Sequence, residues 1–100
     1  MISCTDGHCL LRGPVTMANV ESLVEEGVRQ IVGSDVTIDL SGVEEVDSTA
    51  VSLLLEWRRQ GLRANCNIRY VNLPANLTSL AELYGVTELL GEAAGERREA

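Results

Sequence analysis

Asp47, Ser48 and Thr49 stand directly before a wide apolar run, "VDSTAVSLLLEWRRQG" over residues 46–61. Their types and order suit two kinds of chemistry. An Asp at a helix N-cap accepts the unpaired N–H groups of the first turn. Hydroxyls at the next two positions project near those N–H groups and the positive end of the dipole, where a phosphate is electrostatically tolerated. The three residues therefore fit a plain helix cap, a surface read by a partner, or a pair of candidate phosphorylation sites at Thr49 and Ser48.

Other chemistry-bearing residues are sparse. Cys4, His8 and Cys9 cluster near the N-terminus, but structural zinc wants four ligands, usually in two paired units, and only Cys66 stands elsewhere as a candidate. The expected reading is small residues in N-terminal strands, with no metal. Asp39 and Asp47, eight apart, read as a turn and a cap rather than a shared metal site. The single His8 has no nucleophile context, and no phosphate-binding loop or dinucleotide glycine pattern occurs. Neither an enzyme nor a cofactor is expected.

On the capped helix, steps of about 100° per residue put Ser48, Thr49, Ser52, Glu56, Arg59, Gln60 and Arg63 within an arc roughly 120° wide, so both hydroxyls are expected to face solvent. Val51, Leu54, Leu55 and Leu62 face away and are expected to seat the helix on a sheet. Leu53 and Trp57 lie at the margin beside Thr49. The apolar arc is about 200° wide, where about 100° suffices for one surface contact. Either a neighbouring helix covers Leu53 and Trp57, or they form an apolar strip beside the hydroxyls for a partner, as Trp often does at interface centres.

The rest of the chain must position these groups. One hundred residues make one domain large enough for a core. With 45% hydrophobic residues, no Phe and only three aromatics, that core must rest on Val, Leu, Ile and Ala. Fifteen acidic residues oppose eight basic ones, a net charge of −7, the wrong sign for gripping nucleic acid or an anionic membrane. No apolar run approaches the roughly 20 residues of a membrane span, and no leader-like segment is evident. Three cysteines, an odd number without scaffold density, match the usage of a reducing compartment. The expectation is a cytoplasmic protein without direct membrane insertion.

Periodicity supplies the elements. Thr5-Asp6-Gly7 between two short β-capable stretches is a hairpin signal, and Gly13-Pro14 is expected to break the second strand. Val20, Leu23, Val24, Val28 and Ile31 recur at helical spacing, with Gly33 as the stop. Val36, Ile38 and Leu40 alternate as a strand ended by Ser41-Gly42, with 43–46 a connector or half-strand. The capped helix follows, then a strand over 67–71. Next comes a helix from Pro74 with Leu77, Leu80, Ala81 and Tyr84 on one stripe and Gly85 as its stop, and a last helical turn. The predicted fold is a single α/β domain over 1–90, a four- to five-stranded mixed sheet flanked by amphipathic helices, with Val20, Val24, Leu54 and Leu55 packed on the central strand. Residues 91–100 are expected to be a flexible tail.

The run "VTIDLSGVEEVDSTAVSLLLEWRRQG" resembles the STAS domain family of sulfate transporters and anti-sigma factor antagonists. Asp39-Leu40-Ser41 and Asp47-Ser48-Thr49 occupy the places of its two motifs, and "IRYVNLPANLTSLAELYGVTELL" continues the likeness. Ala50 departs from the family's glycine. In the MlaB-like branch, favoured by "LAELYGV" and the extra N-terminal strand, the resemblance implies binding to the ATPase subunit of the Mla phospholipid ABC transporter of Gram-negative bacteria. Ser48 would then be a contact, and the protein would sit peripheral to the inner membrane through the complex. In the antagonist branch it implies phosphorylation of Thr49 by an anti-sigma factor serine kinase. Either way the expected partner-binding residues are Asp47, Ser48, Thr49, Ser52, Leu53, Glu56 and Trp57.

Overall fold

The computed structural model describes residues 2–31 and 35–86. The elements are β1 (Ile2–Thr5), β2 (His8–Val15), α1 (Val20–Ile31), β3 (Val36–Val46), α2 (Ser48–Arg63), β4 (Ile68–Val71) and α3 (Ala75–Leu83). The Gly33 stop, the last helical turn and the tail lie outside the described residues.

The four strands lie side by side in chain order. β1 and β2 are antiparallel, joined by Asp6-Gly7, both at positive φ (52° and 81°). Such a two-residue turn matches the right-handed twist of the strands it connects. β3 runs parallel to β2, and β4 parallel to β3. Each parallel step is bridged by a helix, as parallel pairing requires.

Two predicted breaks turn out to be bends. β2 passes through Gly13-Pro14 to Val15, with register shifts between Leu10 and Arg12 and between Gly13 and Val15. Gly13 sits at φ 88°, a bulge conformation open to glycine, and a bulge is where a strand tolerates the missing N–H of Pro14. β3 likewise continues through Ser41-Gly42 to Val46. The strand pair thus carries its ladder up to Asp47.

Alternation sorts the sheet. Cys9, Leu11, Val36, Ile38, Leu40, Ile68 and Tyr70 are buried on the face that meets the helices. Ser3, Thr5, His8, Arg12 and Arg69 are exposed. Val51, Leu54 and Ala50 of α2 join this core, and Val20, Val24 and Leu55 pack at its margin. The Tyr70 hydroxyl donates to the Leu54 carbonyl at 2.6 Å, fixing α2 over β4.

Four expectations need correction. Trp57 (0% exposed) and Leu53 (1%) are fully buried, so neither forms an outward strip. The arc of α2 is wide because it meets α1 and α3 as well as the sheet, and the indole Nε1 donates to the Val24 carbonyl at 3.3 Å. Leu62 is 68% exposed instead of seated on the sheet. The last turn meets β4 through Gly61, where a Cβ would come within 2.6 Å of Ile68, and Leu62, about 100° further round, points outward. Tyr84 leaves the α3 stripe and is 52% exposed, because it follows the helix as its C-cap. Finally, Cys4 is bonded to Cys9 and only Cys66 is a free thiol, buried where α2 leads to β4.

Candidate docking surface at the start of α2

Asp47 is the N-cap of α2, in extended conformation. Its Oδ1 accepts from the Thr49 N–H at 2.9 Å and from the Thr49 hydroxyl. Its Oδ2 accepts from the Met17 N–H at 3.0 Å, and its own N–H donates to the Val15 carbonyl at 3.4 Å. One carboxylate therefore ties the β2–α1 loop to the first turn of α2. The Thr49 hydroxyl, followed by the Met17 N–H, holds the Asp47 carboxyl below the usual carboxylate range, because each donor favours the charged form.

The two hydroxyls are not equivalent. Ser48 is exposed, whereas Thr49 is half-buried with its hydroxyl committed to Asp47. The expectation that both face solvent holds for Ser48 alone. Ser52, one turn on, is also exposed. Ser48 and Ser52 open onto a groove of about 360 Å³ whose other walls are Val51, Leu55, Tyr84 and Val86. Tyr84 reaches this rim through the end of α3, where the Val86 N–H bonds the Ala81 carbonyl around Gly85 at φ 71°, a Schellman-type closure.

Glu56, half-buried two turns along, accepts from Gln60 at 2.8 Å and from Arg59 at 2.5 Å. Gln60 first and Arg59 second hold its carboxyl below its usual range. The structure thus brings Asp47, Ser48, Thr49, Ser52 and Glu56 along one side of α2 and withdraws Leu53 and Trp57 into the core.

Sequence reasoning missed Met17, 74% exposed beside Asp47, and Tyr84. Nothing local marks Met17, because only the return of β3 alongside β2 brings it to the cap. Asp39 accepts from the Ser41 N–H at 2.8 Å and from Asn72 at 3.2 Å, in a turn apart from the cap. Among the described residues no three His, Cys, Asp or Glu side chains gather as a metal set, and no helix is long and apolar enough to cross a membrane.

Three comparisons bear on this geometry. A family profile described as "Mlab, STAS domain" matches residues 5–91. No curated protein sequence matches. Among solved structures, the anti-sigma factor antagonist SpoIIAA in its unphosphorylated form is similar with a TM-score of 0.71 at 14% sequence identity, over 89% of this chain and 83% of that chain. At that identity the likeness is one of fold.

Proposed function

This chain belongs to the STAS domain family, in its MlaB type, and on that premise we propose that it binds and supports the ATPase subunit of an Mla-type phospholipid ABC transporter. Its contribution is docking rather than chemistry, and its place is at the inner membrane through the complex. The observation that carries the reading is Ser48: an exposed hydroxyl on the first residue of α2, held in place by the Asp47 cap and set beside a half-apolar groove. A partner meeting this surface finds an exposed polar point next to Val51, Leu55 and Tyr84, which suits a specific interface with an apolar centre.

The test is co-purification with the ATPase after co-expression. Ser48→Arg should abolish it while the melting temperature stays within the small range of surface substitutions. Retention of the ATPase by Ser48→Arg would sink the proposal.

A second reading, an anti-sigma factor antagonist regulated by a serine kinase, is supported by the fold likeness to SpoIIAA and by the place of Thr49 in the family's motif. On phosphoryl transfer the Thr49 oxygen would attack phosphorus and give up the proton it donates to Asp47, and the product sets a dianion against that carboxylate. Incubation with ATP and the cognate kinase, followed by intact-mass analysis, decides it: one phosphoryl group gained, and lost again in Thr49→Ala, favours this reading over the first.

A further inference from the structure

We propose that Cys4 and Cys9 form a reversible thiol–disulfide couple that latches β1 to the sheet. The tight Asp6-Gly7 turn puts Thr5 opposite His8 and Cys4 opposite Cys9. In a two-residue hairpin the pair flanking the turn exchanges hydrogen bonds, so the next pair is of the close kind, with side chains nearer together. The sulfurs are bonded, with Cα atoms 3.9 Å apart.

Position in the fold argues for a latch rather than a staple for the whole domain. The two residues are five apart, so the bond closes a very short loop and removes less chain entropy from the unfolded state than a long-range bridge would. Its effect falls on β1, a four-residue edge strand whose other ties are its ladder to β2 and contacts with α1. Cys66 lies beside β4, at the opposite edge of the sheet, and is buried, so it does not compete for either partner.

The two sulfurs also differ in access. Cys9 is 3% exposed, whereas Cys4 is half-buried at the sheet margin. A thiolate from a dithiol reductant therefore attacks Sγ of Cys4. The S–S bond breaks, Cys9 leaves as a thiolate and takes up a proton, and a mixed disulfide remains on Cys4. The second thiol of the reductant closes on its own mixed-disulfide sulfur, releasing Cys4 as the thiol. Two electrons and two protons reach the protein, and the dithiol becomes a disulfide. Freed of the bond, β1 is held by its short ladder and its contacts with α1, and its opening leaves β2 as the edge of the sheet.

The test uses the full chain in glutathione buffers of graded ratio, with alkylation under denaturing conditions and intact-mass readout. The oxidised form should take up one alkyl group, on Cys66, and the reduced form three, interconverting reversibly while the protein stays folded. In the reduced form, and in Cys4→Ser under any buffer, the β1 amides should exchange with solvent roughly tenfold faster than in the oxidised form, with β3 unchanged. Cys9→Ser should collect glutathione on Cys4, whereas Cys4→Ser should collect none on Cys9. The proposal is overturned if oxidised glutathione never pairs the two thiols, or if the bond yields only after denaturant unfolds the chain. It is equally overturned if β1 exchanges at the same rate in both states.

Discussion

The indole of Trp57 lies on the bare backbone of α1 at Gly27: a Cβ built on that glycine would stand 2.2 Å from Cε2 and Nε1. A glycine inside a helix costs about 1 kcal/mol relative to alanine. Here the cost is offset, because the missing side chain lets the largest residue of the chain sit fully buried between α1 and α2 with its N–H satisfied at the Val24 carbonyl. The same contact holds α1 across the side of α2 that would otherwise expose Leu53.

Gly27→Ala should therefore destabilise the domain by about 1–3 kcal/mol, the range of overpacked cores, although helix propensity alone favours alanine. In a Trp57→Leu background the same change should cost much less, since the clashing ring is gone. Chemical denaturation of the four variants measures this cycle. An increase in stability for Gly27→Ala in the parent chain would contradict the contact.

Ser48→Arg and Thr49→Val should separate display from capping. The exposed Ser48 carries no described hydrogen bond of its side chain, so Ser48→Arg should shift stability by no more than about 0.5 kcal/mol. Thr49→Val removes the hydroxyl donor from Asp47, and the Asp47 carboxyl should then titrate at a higher pH by NMR. An unchanged Asp47 titration in Thr49→Val would deny that bond.

Acid should loosen the start of α2. Asp47 has a folded-state pKa below its unfolded value, mainly through Thr49 and then Met17. A depressed carboxylate contributes stability that is present above the unfolded pKa and is lost as pH falls through the folded one. Between those two values the Met17 and Thr49 amides should gain solvent exchange before the sheet does. Asp47→Asn should flatten this acid limb of the stability curve, and an unaltered limb would assign it to other carboxylates.

Alkali should act through Tyr70. Burial pushes its phenol far above the ordinary range, despite the nearby Arg58 guanidinium 5.6 Å from the ring. Stability is untouched below the usual phenol pKa near 10 and declines above it, because the unfolded chain releases the proton first. In Tyr84→Phe, which leaves Tyr70 as the one tyrosine, phenolate absorbance should rise only together with unfolding. Tyr70→Phe should cost about 1 kcal/mol for the bond to Leu54.

Local physics made much of this protein legible from its residues alone. Asp47 as a cap, Asp6-Gly7 as a turn, the Val36-Ile38-Leu40 alternation and the order of the elements all depend on neighbours a few positions away. The family motifs around Asp39 and Asp47 were readable for the same reason. What lay beyond reach is set by distant parts of the chain. A helical wheel measures how wide the apolar face of α2 is but not what covers it, so Leu53 and Trp57 stayed open to two readings until α1 was seen lying on them. Gly27 held the one local hint, a glycine inside a helical pattern, and its meaning required the indole 30 residues away. Thr49 and Ser48 are adjacent and chemically alike in sequence. Only the three-dimensional cap, with Met17 on one carboxylate oxygen and Thr49 on the other, commits one hydroxyl and leaves its neighbour displayed.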